Sequence, residues 1–285
     1  MNNDTKVYLN GEFIPLTEAR IPVMDRGFLF GDSIYEVIPA YGGRLFRLQH
    51  HLHRLENSMH AIHLENPLPE AEWENILATL LMQHPGEDQS VYLQVSRGVA
   101  PQRDHAIPEG LEPTIFAITT PFPSIDPQIY EKGIAAITLD DIRWNYCNIK
   151  ATTLLPNVLL RQEAKERDAM EAILIRDGQA IEGAASNLFI VNDGQVITPP
   201  KGEHLLPGIT RDLVLELVAE AEMPYCEAHI TTEELDNADE IWLTSSTREI
   251  MPVTHLDDRT IGNGKPGKLW QQVFNRFKAY KEELQ

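Results

Sequence analysis

Val91, Leu93 and Val95 alternate with less apolar neighbours, the period of a strand with one buried face, and predict a strand over Val91–Ser96. A second strand is expected at Thr114–Thr119. Earlier, from Leu45, the spacing is helical: Leu48, Leu52, Leu55, Met59 and Ile62 fall on one face, and another helix is expected across Trp73 to Leu81. Near the start, "VYLNGEFIPL" reads as a hairpin whose Asn10-Gly11 tolerates the positive φ of a tight turn. "PFPSIDP", residues 121–127, holds three prolines and reads as a stiff linker.

Beyond it the pattern restarts. A strand at Ile134–Leu139, a helix from Leu155 to Arg167 and a strand at Ala172–Arg176 lead to a hairpin turning at Asp193-Gly194. A helix at Thr210–Glu222, strands at Cys226–His229 and Glu240–Thr244, and a helix at Gly267–Glu283 complete the reading. Strands joined both by tight turns and by helices predict mixed sheets and an α+β (mixed α/β) class. The expected organisation is a smaller domain over 1–120, a linker over 121–127 and a larger domain over 128–285.

Composition narrows the function. The chain has 285 residues, 42% hydrophobic and 24% charged, ordinary for a globular protein. A net charge of −19 argues against nucleic acid and anionic membranes, which need a basic footprint. A small anionic ligand remains open if local cations answer it, and "RGVAPQRDHAIPEG" places Arg103 and His105 on one loop. Two cysteines give neither a disulfide framework nor metal spacing, and a polar start and the lack of a spanning apolar run point to a cytoplasmic protein.

Two motifs mislead. "GNGKPGK", residues 262–268, begins like a phosphate-binding loop, but Leu269 stands where Ser or Thr must hold magnesium, so it reads as a polar turn. His50, His51, His53, His60 and His63 lack the ordered spacing of a metal site and read as a solvated helix face.

Four others carry chemistry. Lys150, set between Ile149 and the helix that follows Ala151-Thr152-Thr153, is a candidate amine nucleophile, because desolvation favours a neutral amine. Glu182 precedes Gly183, Ala184 and Ala185, small residues that let a flat ligand approach. Gly208-Ile209-Thr210 opens a helix, with Thr210 expected at the N-cap and the first-turn N–H groups open to an anion. Ser245, Ser246 and Thr247 end an apolar strand with hydroxyls.

In this order, these motifs resemble the fold-type IV pyridoxal-phosphate enzymes. The likeness runs through "YLNGEFIPL", "DRGFLFGDSIYEV", "DIRWNYCNIKATTLLPNVLLRQEA", "IEGAASNLF", "LPGITRD" and "TSSTREIMPV", and is greatest to the D-amino-acid aminotransferases. The resemblance implies two domains with the cofactor site at their interface, the larger one binding pyridoxal 5'-phosphate. It implies that Lys150 carries the cofactor as a Schiff base and acts as acid and base, that Glu182 pairs with the pyridine nitrogen, and that Leu206 packs on the ring. Arg54, Ile209, Thr210, Ser246 and Thr247 would hold the phosphate, while Tyr35, Arg103 and His105 would bind the substrate carboxylate. The implied protein is a homodimer that transaminates a D-amino acid with a 2-oxo acid by a ping-pong course. Alternatives within the resemblance are a branched-chain L-amino-acid or (R)-amine aminotransferase and an aminodeoxychorismate-type lyase. This chain departs from the pattern in an additional Gln102 before Arg103, and in Ala184-Ala185 where D-specific members are serine-rich.

Overall fold

The computed structural model describes residues 5–122 and 125–283; Pro123 and Ser124, inside the expected linker, lie outside the described residues. The chain divides into two compact units, one of 5–122 with Ile149–Leu154, the other of 125–148 with Leu155–Glu283.

In the first unit, β1 (Lys6–Leu9) and β2 (Glu12–Pro15) form the expected hairpin, with Asn10 and Gly11 at φ 48° and 97°. There follow α1 (Arg26–Phe30), β3 (Ser33–Tyr41), β4 (Arg44–Leu45), α2 (Leu48–Ala61) and α3 (Glu70–Leu81). Then come β5 (Gln89–Ser96) and β6 (Thr114–Pro121). The strands make an antiparallel sheet in the order β2-β1-β6-β5-β3-β4. Leu52, Leu55 and Met59 of α2 and Trp73, Leu77 and Leu80 of α3 bury against Ile34, Ile38, Val91, Leu93 and Val95. Burial of each such side chain contributes about 1.5–3 kcal/mol.

The apolar alternation does not predict β3. Glu36 and Pro39 interrupt its pattern, yet Glu36 is fully buried and Pro39 lies just before the two residues that β4 covers. The segment Ile149–Leu154 lies antiparallel beside the start of β3. The Tyr35 N–H donates to the Lys150 carbonyl at 2.9 Å and the Thr152 N–H to the Ser33 carbonyl at 3.0 Å, with a bridge between Ile34 and Ala151.

The second unit begins with α4 (Pro127–Lys132), β7 (Ile134–Asp140), α5 (Leu155–Glu166), β8 (Glu171–Arg176) and β9 (Gln179–Gly183). A hairpin of β10 (Asn187–Asn192) and β11 (Gln195–Thr198) precedes α6 (Ile209–Glu220). Then come β12 (Tyr225–Glu227), β13 (Ile230–Thr231), α7 (Thr232–Asp236), β14 (Glu240–Ser245), β15 (Glu249–Leu256), β16 (Arg259–Thr260) and α8 (Lys268–Glu282). The sheet runs β12-β11-β10-β14-β15-β7-β8-β9-β13, with β16 beside β15. It is mixed: β7 pairs parallel with β8 and β15, and β11 with β12, while the other pairs are antiparallel. β8, β10 and β14 carry near-continuous buried runs, the mark of strands covered on both faces.

Two local expectations are corrected. The strand expected at Cys226–His229 stops at Glu227, and Ala228 and His229 connect it to β13. Thr210 is not the N-cap of α6; Gly208 is, and Thr210 is the second helical residue. A Cβ at 208 would come within 1.9 Å of Asn187 Oδ1, so this cap position takes no side chain. β15, which the apolar pattern does not predict, carries Pro252 within its run. At "GNGKPGK", the α8 start is filled by the Glu240 carboxylate, which accepts the N–H groups of Leu269 and Trp270 at 3.0 and 2.9 Å. An acid there excludes a phosphate.

Candidate active site

β3 presents successive residues to opposite faces. On one, Lys150 Nζ lies 4.1 Å from the centre of the Tyr35 ring, which stacks with Tyr92 at 5.8 Å. Lys150 is half-buried, and its backbone N–H donates to Ser58 Oγ of α2 at 3.2 Å. The residue after Tyr35, Glu36, grips Arg54 of α2 through both oxygens: Nε and Nη2 donate to Oε1 and Oε2, each at 2.7 Å. His51, one turn before Arg54, donates from Nδ1 to Glu36 Oε2 at 2.8 Å.

The electrostatics follow from burial. Desolvation pushes Glu36 up, but Arg54 and His51 more than offset it and hold its carboxyl well below the usual range. Burial pushes His51 below its ordinary value, against the pull of Glu36. An ionised Glu36 accepts from Nδ1, so the neutral ring carries its proton there, and Nε2 is buried with no partner among the described residues. The reading of five solvated histidines is thus corrected for His51, which is 1% exposed. A charge amid the apolar run "SIYEVI" demands a buried partner, and that is the sequence signal for Glu36 and its helix.

In the same unit, Arg103 and His105 lie exposed on the loop between β5 and β6. They gather on Phe30, Arg103 Cζ at 4.9 Å from the ring centre and the His105 ring at 5.3 Å. Tyr35 keeps company with Lys150 and Tyr92 instead.

In the second unit, Glu182 is on β9 rather than in the turn that follows, and is 4% exposed. Its Oε1 receives Arg143; its Oε2 receives Asn187 Nδ2 and the Leu206 N–H, both at 3.1 Å. Behind Arg143 stands Asp141, accepting from Nε and Nη2 at 2.8 and 2.9 Å and pairing with Arg176 at 3.0 Å. Burial raises the Glu182 carboxyl to about 7 against the pull of Arg143. Neither Arg143 nor Asp141 stands out in the sequence. The Asn187 amide ties both Glu182 and the Leu206 carbonyl, so the acid and the approach to α6 are one assembly. Ile209 and Thr210, both buried, open α6 with no side-chain cap, and α6 packs on β14. Ser246 and Thr247 lie in the turn that leaves β14. Among the described residues, no cluster of His, Cys, Asp and Glu is placed to hold a metal ion.

The amino-transferase class IV family matches residues 33–256, from the first residue of β3 to the last of β15. The chain belongs to that family. This aminotransferase is 42% identical to a D-alanine aminotransferase of Bacillus licheniformis over 268 residues, 94% of each chain. It is 38% identical to one of Staphylococcus haemolyticus over 98% of each chain. It superposes on a branched-chain aminotransferase of the archaeon Thermoproteus uzoniensis, solved with norvaline, with a TM-score of 0.87. That match covers 97% of this chain and 94% of the other at 27% identity, and the fold the two share is the fold-type IV architecture.

Substituting Glu36→Gln in this aminotransferase strips Arg54 of its counter-charge and should cost about 3–5 kcal/mol in urea unfolding at neutral pH. The Glu36 carboxyl is depressed in the folded state, so its contribution is complete above the unfolded value of about 4.3 and is lost as pH falls below it. The gap between parent and variant should therefore narrow in acid; a gap independent of pH would mean that Glu36 is not ionised.

Proposed function

We infer that this chain is a pyridoxal-phosphate-dependent aminotransferase that moves the amino group of a D-amino acid, such as D-alanine or D-glutamate, to a 2-oxo acid. The observation that carries the reading is the pairing of full-length likeness to D-alanine aminotransferases with Lys150 held at the Tyr35 ring.

The residues fit the cofactor by their chemistry. A primary amine stands half-buried for its aldehyde. A buried carboxyl suits its ring nitrogen, and an uncapped helix start with two hydroxyl residues suits its phosphate. When bound, the cofactor supplies the electron sink for the substrate's Cα–H bond. Lys150 is the residue that holds it and then moves the proton as acid and base. Glu182 offers the ring N–H an acceptor. A carboxylate has about four acceptor positions, and three are taken by Arg143, Asn187 and Leu206. The N–H groups of Ile209 and Thr210, the hydroxyls of Ser246 and Thr247, and Arg54 would hold its phosphate, and Leu206 would pack on its ring. Because Glu36 already balances Arg54, the helix start would have to answer much of a bound phosphate's charge.

In this reading Arg103 and His105, on the loop of one subunit, and Tyr35, from the other copy, hold the substrate α-carboxylate, which is why the three are not gathered within one chain. A guanidinium fork with imidazole and phenol donors suits that group, and fixing it decides which face of Cα turns its hydrogen to Lys150. The reading also carries a cytoplasmic homodimer. Both cysteines are free, and no described helix is long and apolar enough to cross a membrane. Val23 and Phe28 are 72% and 73% exposed, and Val99 and Ile107 of the loop are exposed too; a second copy would cover such apolar side chains. Sedimentation of the native protein as single chains would remove the dimer from this reading.

Borohydride reduction of the yellow holoprotein should leave the cofactor on Lys150 by mass spectrometry, and Lys150→Ala should abolish turnover while keeping the fold. Label on another lysine, or turnover retained, would refute the assignment. Arg103→Ala should raise KM for D-alanine about 10- to 100-fold, the range for losing a hydrogen bond to a charged group. An unchanged KM would take Arg103 out of the site.

A further inference from the structure

The loop between β5 and β6 poses a physical problem: Arg103 and His105 are exposed and outside regular structure, yet they must present a fixed geometry. Resting on their assignment to the substrate carboxylate, we propose that Phe30 and Arg26 of α1 are positioning residues that hold this pair ready.

The loop is tied at three levels, all by residues 24–32. At its shoulders, buried Asp25 accepts from Ser96 Oγ at 3.0 Å and from Thr114 Oγ1 at 2.7 Å, one residue at the end of β5 and one at the start of β6. Its start is bound to the backbone before α1. Arg26 N–H donates to the Gly98 carbonyl at 2.9 Å and Ala100 N–H to the Met24 carbonyl at 3.2 Å. Gly98 has φ 98°, and a Cβ there would meet the Glu112 carbonyl oxygen at 1.9 Å, so the two limbs of the loop touch through backbone.

In the middle, the buried Arg26 guanidinium reaches up into the loop. Nη1 donates to the carbonyls of Asp104 and Ala106 at 2.7 and 3.3 Å, and Nη2 to that of His105 at 3.3 Å. Its Nε donates to Asp32 at 2.7 Å, a carboxylate that also binds Arg97 at 2.8 and 3.0 Å. Arg97 in turn donates to the carbonyls of Ile62 and His63 beyond α2. The guanidinium thus fixes the carbonyls on both sides of His105 as well as its own.

At the tip, the Phe30 ring receives both functional side chains: Arg103 Cζ at 4.9 Å and the His105 ring at 5.3 Å, tilted by 44°. Arg26 Cζ lies 4.8 Å from the same ring. A free arginine samples many rotamers, and binding must select one; an aromatic face that already holds the cation removes part of that cost. The ring also keeps guanidinium and imidazole together, so they act on one carboxylate rather than separately. Substrate charge sets the role: an anion is captured by a guanidinium and an imidazole whose backbone is fixed from below and whose side chains are fixed from the side.

The test compares Phe30→Leu, Phe30→Tyr and Arg103→Ala in the holoenzyme. It reads KM and kcat for D-alanine, and inhibition by propionate, which has the carboxylate but no amine. Phe30→Leu should raise KM and the propionate inhibition constant about 10-fold while changing kcat less than about twofold, since ground-state capture is what loosens. Phe30→Tyr, which keeps the ring, should restore both constants. Phe30→Met, nearer in bulk, replaces the leucine variant if that one loses its fold. If Arg103→Ala weakens both constants but neither aliphatic variant moves them beyond twofold, the positioning role is overturned and the carboxylate site stands. If Arg103→Ala itself leaves both constants unchanged, the carboxylate assignment fails and the proposal falls with it. A fall in kcat with KM unchanged would also overturn the proposal.

Discussion

Five consecutive residues, Asp32 to Glu36, bear the constraint on which the first unit depends: the start of β3 must lie against Ile149–Leu154 on one edge and β5 on the other. That pairing sets Lys150 opposite Tyr35 through a backbone hydrogen bond, so the amine's place is decided by the sheet rather than by its own side chain. The alternation of the strand then directs Glu36 to α2, where it clamps Arg54. One residue before the strand, Asp32 anchors Arg26 and Arg97, and through them the loop that bears Arg103 and His105. A shift of β3 by one residue would exchange Tyr35 and Glu36 and undo all three arrangements.

The same logic accounts for the charge pattern. An acidic chain would repel anionic ligands, yet arginines are buried with carboxylates at each critical place: Arg54 with Glu36, Arg26 and Arg97 with Asp32, Arg143 with Asp141 and Glu182. Such pairs gain little net stability over apolar packing, because desolvation consumes most of the attraction. Their worth lies in direction. A guanidinium held by two oxygens cannot swing, and a carboxyl braced by Arg143, Asn187 and Leu206 presents one face. Burial and pairing oppose each other unequally, leaving Glu36 firmly ionised and raising Glu182 to about 7. The two acids thereby differ: pairing holds one charged, while burial raises the other.

Much of this is legible in the chain, and the parts that are not share a cause. Elements with clean periodicity, such as α2, α3, β5 and the two hairpins at Asn10-Gly11 and Asp193-Gly194, lie close to where the pattern puts them. β3 and β15 are hidden because a buried acid and prolines break the alternation, although the neighbouring strands tolerate both. Lys150, Glu182, Arg103 and His105 stand out by chemistry and resemblance. Asp25, Arg26, Phe30, Asp32, His51 and Arg143 do not, because a residue that braces another is defined by a long-range contact, which one-dimensional spacing does not encode. Thr210 is misplaced for a related reason: the cap position is set by the close approach of Asn187, from the start of β10, which only Gly208 permits.

The central claim is that this architecture transaminates the D enantiomer. Its most direct measurement gives the purified holoprotein D-alanine or L-alanine, each with 2-oxoglutarate, and follows the initial rate of pyruvate release. The account predicts rapid release from D-alanine and at most a trace from L-alanine. Preferential release from L-alanine would contradict it.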